Sequence, residues 1–173
     1  MQFYSTNRKT SPVSLREAVV RGLAADRGLF MPEVIRRFPP AFYQNMKEMT
    51  LREISFVVAE AFFGEDVEAG KLKEIVDETL NFDIPLVQVA DNRYSLELFH
   101  GPTLAFKDVG ARFMARLLAY FNKQEGERQV NVLVATSGDT GSAVANGFLD
   151  VPGVKVFVPV SYTHLRAHET LRH

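Results

Sequence analysis

The segment Val130-Asn131-Val132-Leu133-Val134-Ala135 is the strongest strand signal in the chain, rich in β-branched residues. Thr136-Ser137-Gly138-Asp139-Thr140-Gly141 follows it, then a helical stretch over 142–149, then a second strand pattern, Val154-Lys155-Val156-Phe157-Val158. Upstream, 84–89 and 94–99 read as strands with partial alternation. Residues 103–121 read as a helix, with Phe106, Val109, Phe113, Leu117 and Tyr120 available for burial. Strands alternating with helices in this order imply an α/β fold, a parallel sheet with crossover helices.

The first eighty residues follow a different pattern. Ser14-Leu15-Arg16-Glu17 and Thr50-Leu51-Arg52-Glu53 both have the spacing of a capping box, each ahead of an apolar helical repeat. Gly22 and Gly64 stand where those helices would stop. Leu72, Ile75, Val76 and Leu80 share one face of a third helix, and Pro39-Pro40 forbids a helix through that point. None of these segments gathers polar groups suited to chemistry, so a mainly helical packing domain over 1–83 is expected. A catalytic domain is expected to open at 84.

Composition narrows the chemistry. The 173 residues are 46% hydrophobic with a net charge of −1, enough for a packed core and no bulk basic footprint for nucleic acid. There is no cysteine, which excludes disulfides, thiolate–metal sites and thiol catalysis. No apolar run approaches the roughly 18 residues of a membrane span. The N-terminus lacks the apolar core of a signal peptide, so a cytoplasmic protein is expected.

Two strand-to-helix junctions stand out, at the kind of position where open α/β sheets carry their sites. The first is His100-Gly101-Pro102-Thr103-Leu104-Ala105-Phe106-Lys107-Asp108. A lysine in the first turns of a helix meets the positive end of the dipole. Its apolar neighbours also work against the ammonium form, and only the neutral amine attacks a carbonyl. The competing reading is a surface lysine paired with a carboxylate. The second junction is Thr136-Ser137-Gly138-Asp139-Thr140-Gly141-Ser142. Its two glycines permit close approach of a ligand, and free N–H groups at a helix start suit a carboxylate or phosphate. It lacks the Gly-Lys-Ser/Thr of a P-loop and the glycine spacing of a dinucleotide fingerprint. A plain turn capped by Ser or Thr is the alternative.

Taken together, HGPTLAFKD at 100–108 and ATSGDTGSA at 135–143 resemble the threonine synthase family, fold-type II enzymes that use pyridoxal 5′-phosphate (PLP). FYSTN and VSLREAVVRGLAADRGLFMPE resemble the N-terminal domain of its microbial branch, so the likeness runs from residue 1 to about 160. The resemblance implies that Lys107 forms the Schiff base with PLP and then moves protons. It implies that Asp139 faces the 3′-oxygen of PLP, and that Thr136, Ser137 and Thr140 hold the substrate α-carboxylate. Phe106 and Asp108 are implied as supporting residues. The implied reaction converts O-phospho-L-homoserine and water into L-threonine and phosphate. The implied partner is therefore a small molecule, with no nucleic acid, membrane or metal.

The same family places a Gly-rich loop for the PLP phosphate, and a Ser or Thr against the pyridine nitrogen, further along the chain. After residue 143 the only glycines are Gly147 and Gly153. Residues 84–160 are accordingly expected to be the truncated start of the catalytic domain, and the 173-residue chain alone is expected to be inactive. The last thirteen residues, SYTHLRAHETLRH, hold three of the four histidines and break the family pattern. Residues 161–173 resemble translated sequencing-adapter readthrough and are expected to be a non-native tail. His164 and His168 have the i, i+4 spacing of a helical metal pair, which that origin disfavours. Two further functions remain open from the residues: another PLP-dependent lyase or dehydratase of fold type II, and a non-catalytic anion-binding module built on the SGDTG turn.

Overall fold

The computed structural model describes residues 1–124, 126, 128–136 and 138–159. Ser137, Val160 and the tail 161–173, with His164 and His168, lie outside the described residues. The chain divides into two compact units, with the break between Leu80 and Asn81.

In the first unit, β1 (Gln2–Ser5) is the centre of a small antiparallel sheet between β2 (Val13–Ser14) and β3 (Phe30–Pro32). The sequence pattern indicates only an extended start here, because strands of two to four residues are too short to show alternation. A side-chain knot holds the sheet. Asp26 accepts from Ser5 Oγ at 2.5 Å, from Gly28 N at 3.0 Å and from Lys9 N at 2.9 Å. Ser5 is wholly buried, and a Cβ on Gly28 would collide with its hydroxyl.

Helix α1 (Leu15–Arg21) starts on Ser14, whose Oγ accepts from Glu17 N at 3.2 Å. Glu17 turns instead to Arg21, 3.1 Å away, so half of the capping box forms. Gly22 ends the helix with φ +71, a conformation glycine adopts at little cost. A six-residue helix, α2 (Pro40–Asn45), begins at the second proline, where a missing N–H costs nothing. Helix α3 (Leu51–Phe63) carries both halves of the Thr50–Glu53 box. Helix α4 (Ala69–Thr79) buries Leu72, Ile75 and Val76, and Leu80 follows them into the core with Ala59 and Val67. Arg52 Nε donates to the Leu80 carbonyl at 2.9 Å, satisfying an acceptor at the end of α4.

In the second unit, β4 (Leu86–Ala90) and β5 (Arg93–Leu96) pair with each other as an antiparallel hairpin. Asn92 takes φ +56 at the turn, and Asp91-Asn92 is the local signal for such a connection. The parallel arrangement with a crossover helix is formed further on. β6 (Val130–Leu133) lies parallel to β7 (Val154–Phe157), register Val130 to Val154 through Leu133 to Phe157. Helix α6 (Asp139–Gly147) joins them, starting three residues earlier than its apolar pattern indicates. Helix α5 (Lys107–Gln124) precedes this unit and buries Ala115, Leu117, Leu118 and Phe121.

Helices α5 and α6 pack closely at Gly147, where a Cβ would lie 2.9 Å from the Ala111 carbonyl carbon and 3.0 Å from its oxygen. Only a residue without a side chain permits that approach. None of the described helices is long and apolar enough to cross a membrane.

Candidate active site

The helix expected from Thr103 begins at Lys107, because the residues before it are folded into a tight turn. Pro102 follows Gly101, and Leu104 takes φ +58 while 74% exposed. A branched residue in that left-handed region is unfavourable, so the surrounding structure must impose it. The imposing group is Asp108, fully buried in the first turn of α5. Its Oδ2 accepts from Thr103 N at 2.9 Å, and its Oδ1 accepts from Thr103 Oγ1 at 2.5 Å. A carboxylate at this end of a helix is also favoured by the dipole. Gly101 lies directly against it: a Cβ there would sit 2.9 Å from Asp108 Cβ. Phe106, expected in the core, is 61% exposed because it falls in this turn, outside the helix.

The turn presents Lys107 as the first helical residue, half-buried. Its Nζ donates to Thr140 Oγ1 at 2.7 Å, and the Phe106 ring centroid lies 5.7 Å away. Among the described residues no carboxylate forms an ion pair with it. That weighs against the reading of Lys107 as an ordinary ion-paired surface lysine. At the head of the same motif, His100 Nε2 is 2.7 Å from Glu97 Oε2 and its ring stacks on Phe99.

The glycine–hydroxyl turn after β6 supplies the other side. Helix α6 has Gly138 as its N-cap, a residue with no side chain to cap it. Thr136 Oγ1 accepts from Gly138 N at 3.3 Å and shapes the turn itself. The two glycines have separate reasons. Gly138 faces open space, with nothing within 4 Å of a Cβ, so a ligand has room there. Gly141 is buried, and a Cβ on it would lie 3.0 Å from Thr136 Cγ2 and 3.1 Å from Val158 Cγ1. Close packing, not ligand approach, accounts for Gly141. Asp139 stands exposed as the first residue of α6.

Two of the sequence-derived residues are thus in direct contact, Lys107 and Thr140, 33 positions apart. Asp139 and Thr136 flank Thr140 on the same turn. Thr103 and Gly101 are the residues that sequence reasoning missed. Their signal was a threonine five residues ahead of an aspartate in a helix's first turn.

A lysine at a helix start, bonded to a threonine of the strand-to-helix turn that follows β6, is what the described residues of this α/β chain bring together. Residues 2–80 match the family described as "Threonine synthase N terminus". The chain is 40% identical over 158 residues to the threonine synthase of Serratia marcescens and 39% identical to that of Escherichia coli strain K12. Each match covers 91% of this chain and 36% of the relative, so the chain spans about a third of the length of these relatives. The crystal structure of Escherichia coli threonine synthase superposes with a TM-score of 0.84, covering 91% of this chain and 36% of that one. A PLP-bound threonine synthase from Brucella melitensis, 34% identical, gives 0.85, with 91% and 35% covered. In sequence and fold the chain is similar to the N-terminal third of these threonine synthases.

Proposed function

We propose that the polypeptide carrying this sequence is a PLP-dependent threonine synthase, converting O-phospho-L-homoserine and water to L-threonine and phosphate. The observation that carries the proposal is the contact between Lys107 Nζ and Thr140 Oγ1, 2.7 Å, which joins the two motifs in one place. The residues fit the cofactor. A primary amine without a carboxylate partner among the described residues suits an aldehyde, and nothing lies within 4 Å of a Cβ at Gly138 on the facing turn. Lys107 would hold PLP covalently, and Asp139 would face its 3′-oxygen. Bound there, PLP supplies an electron sink for substrate carbanions.

The protein's own residues do the rest. The Lys107 amine takes a proton from the substrate Cα and then one from Cβ, whose electron pair expels the γ-phosphate from Cγ; protons are returned at Cγ and at Cα, and water supplies the hydroxyl at Cβ. Thr136, Ser137 and Thr140, with the helix start of α6, hold the α-carboxylate and fix Cα beside the lysine. Asp108 and Phe106 support the lysine from the turn. The reading carries with it a cytoplasmic location and a single small-molecule substrate. Residues 1–83 act as a packing domain, and 84–160 open the catalytic domain.

The test is phosphate release from O-phospho-L-homoserine by the full-length polypeptide carrying this sequence. Phosphate and threonine in equal amounts are expected, with both lost in Lys107→Ala. Turnover of O-phosphohomoserine that survives Lys107→Ala would overturn the assignment.

A further inference from the structure

We propose that Thr140 is a positioning residue for the Lys107 amine, in addition to any contact it makes with a ligand carboxylate. This rests on the function proposed above and deepens it. A hydroxyl accepts and donates at once. In the structure the Thr140 oxygen accepts from Lys107 Nζ at 2.7 Å, which leaves the hydroxyl proton for a second partner. The two neighbouring threonines are thereby divided in task. Thr136 Oγ1 is engaged by Gly138 N and shapes the turn, whereas Thr140 reaches across to the other helix. Through this one oxygen, an anion held at the start of α6 and the amine at the start of α5 are linked.

The lysine side chain needs such an anchor. Its stem has four rotatable carbons, and fixing them for a reaction costs conformational entropy. Apart from Thr140, the described contact of Nζ is with the exposed ring of Phe106. An amine tied to Thr140 is pre-aimed at the turn where the carbonyl and the carboxylate are to be received. The hydrogen bond also has to break before the amine attacks anything elsewhere, so it shields Lys107 from stray electrophiles.

The experiment uses the full-length polypeptide freed of cofactor and compares Thr140→Val and Thr140→Ser with the unsubstituted protein. The first readout is the acetylation rate of Lys107 by N-hydroxysuccinimide acetate, from peptide mapping, with exposed Lys155 as internal reference. Thr140→Val is expected to raise that rate about fivefold, the size of one net hydrogen bond, and Thr140→Ser to restore it. The second readout is borohydride trapping of added PLP on Lys107, expected to be slower in Thr140→Val and restored in Thr140→Ser. Unchanged acetylation in Thr140→Val, or a serine variant that behaves like valine, would overturn the proposal. If PLP fails to trap on Lys107 even in the unsubstituted protein, the enzyme reading falls, while the acetylation rates still decide the Lys107–Thr140 contact.

Discussion

Thr103 gives both its backbone N–H and its hydroxyl to the two oxygens of buried Asp108, at 2.9 Å and 2.5 Å. Through that clamp the turn over 101–106 is closed, and α5 begins at Lys107. Removing the carboxylate leaves the two half-buried Thr103 donors without their acceptor, which costs about 1–3 kcal/mol. Asp108→Ala should lower the unfolding free energy by that amount, read as a lower urea midpoint, and weaken PLP binding. Asp108→Asn, which keeps one acceptor, should fall between. Gly101→Ala should mimic Asp108→Ala, since its methyl meets the same carboxylate. Native-like midpoints in all three would show that the clamp is not what builds the turn.

Gly147 and Gly110 predict opposite outcomes for the same substitution. A methyl on Gly147 meets the Ala111 backbone at 2.9–3.0 Å, so α6 must move off α5. Overpacking of this kind costs about 1–3 kcal/mol. Gly110 lies inside α5 with nothing within 4 Å of its Cβ, and alanine there should stabilise by about 0.5–1 kcal/mol. Chemical denaturation of the two variants measures both signs.

Leu72 is wholly buried in the core of the first unit. Leu72→Ala should cost about 2–5 kcal/mol, the sum of lost transfer energy and the cavity left behind. Thr50→Ala, which removes the cap of α3, should cost about 1 kcal/mol. Thermal unfolding should therefore rank Leu72→Ala well below Thr50→Ala.

Asp26 gives a pH signature. The Ser5 hydroxyl first, then the N–H groups of Gly28 and Lys9, hold its carboxyl below the ordinary value of 3.8, against an opposing effect of burial. A carboxyl depressed by folding contributes stability above its unfolded value and loses it as pH falls through the folded one. The folded protein should thus lose stability on acidification below about pH 3.8, and Asp26→Asn should remove that part of the dependence. Urea midpoints measured in both proteins between neutral and acid pH would show parallel curves if the knot around Asp26 carries no charge linkage.

The elements with long periodic patterns were legible from residues alone. The Thr50–Glu53 box, the Leu72–Ile75–Val76 face and the β6–α6–β7 crossover appear where the patterns put them. The β1–β3 sheet was not legible, because its strands are shorter than one alternation and its stability lies in the Ser5–Asp26–Gly28 contacts between distant residues. The β4–β5 strands were legible as strands but not as an antiparallel pair; that depends on Asn92 at φ +56 in a turn of two residues. At the site, composition pointed to Lys107 and the SGDTG turn. It gave no indication that Lys107 would reach Thr140, since the approach is set by the Gly147–Ala111 packing of two helices. Nor did it separate the glycines, of which Gly141 is a packing residue and Gly138 the open one.

The central claim is that Lys107 is the amine that receives the cofactor. Borohydride reduction of the full-length polypeptide after incubation with PLP, followed by peptide mapping, tests it most directly. One pyridoxyl group on Lys107, absent in Lys107→Ala, is the predicted result. Incorporation on another lysine, or undiminished incorporation in Lys107→Ala, would contradict it.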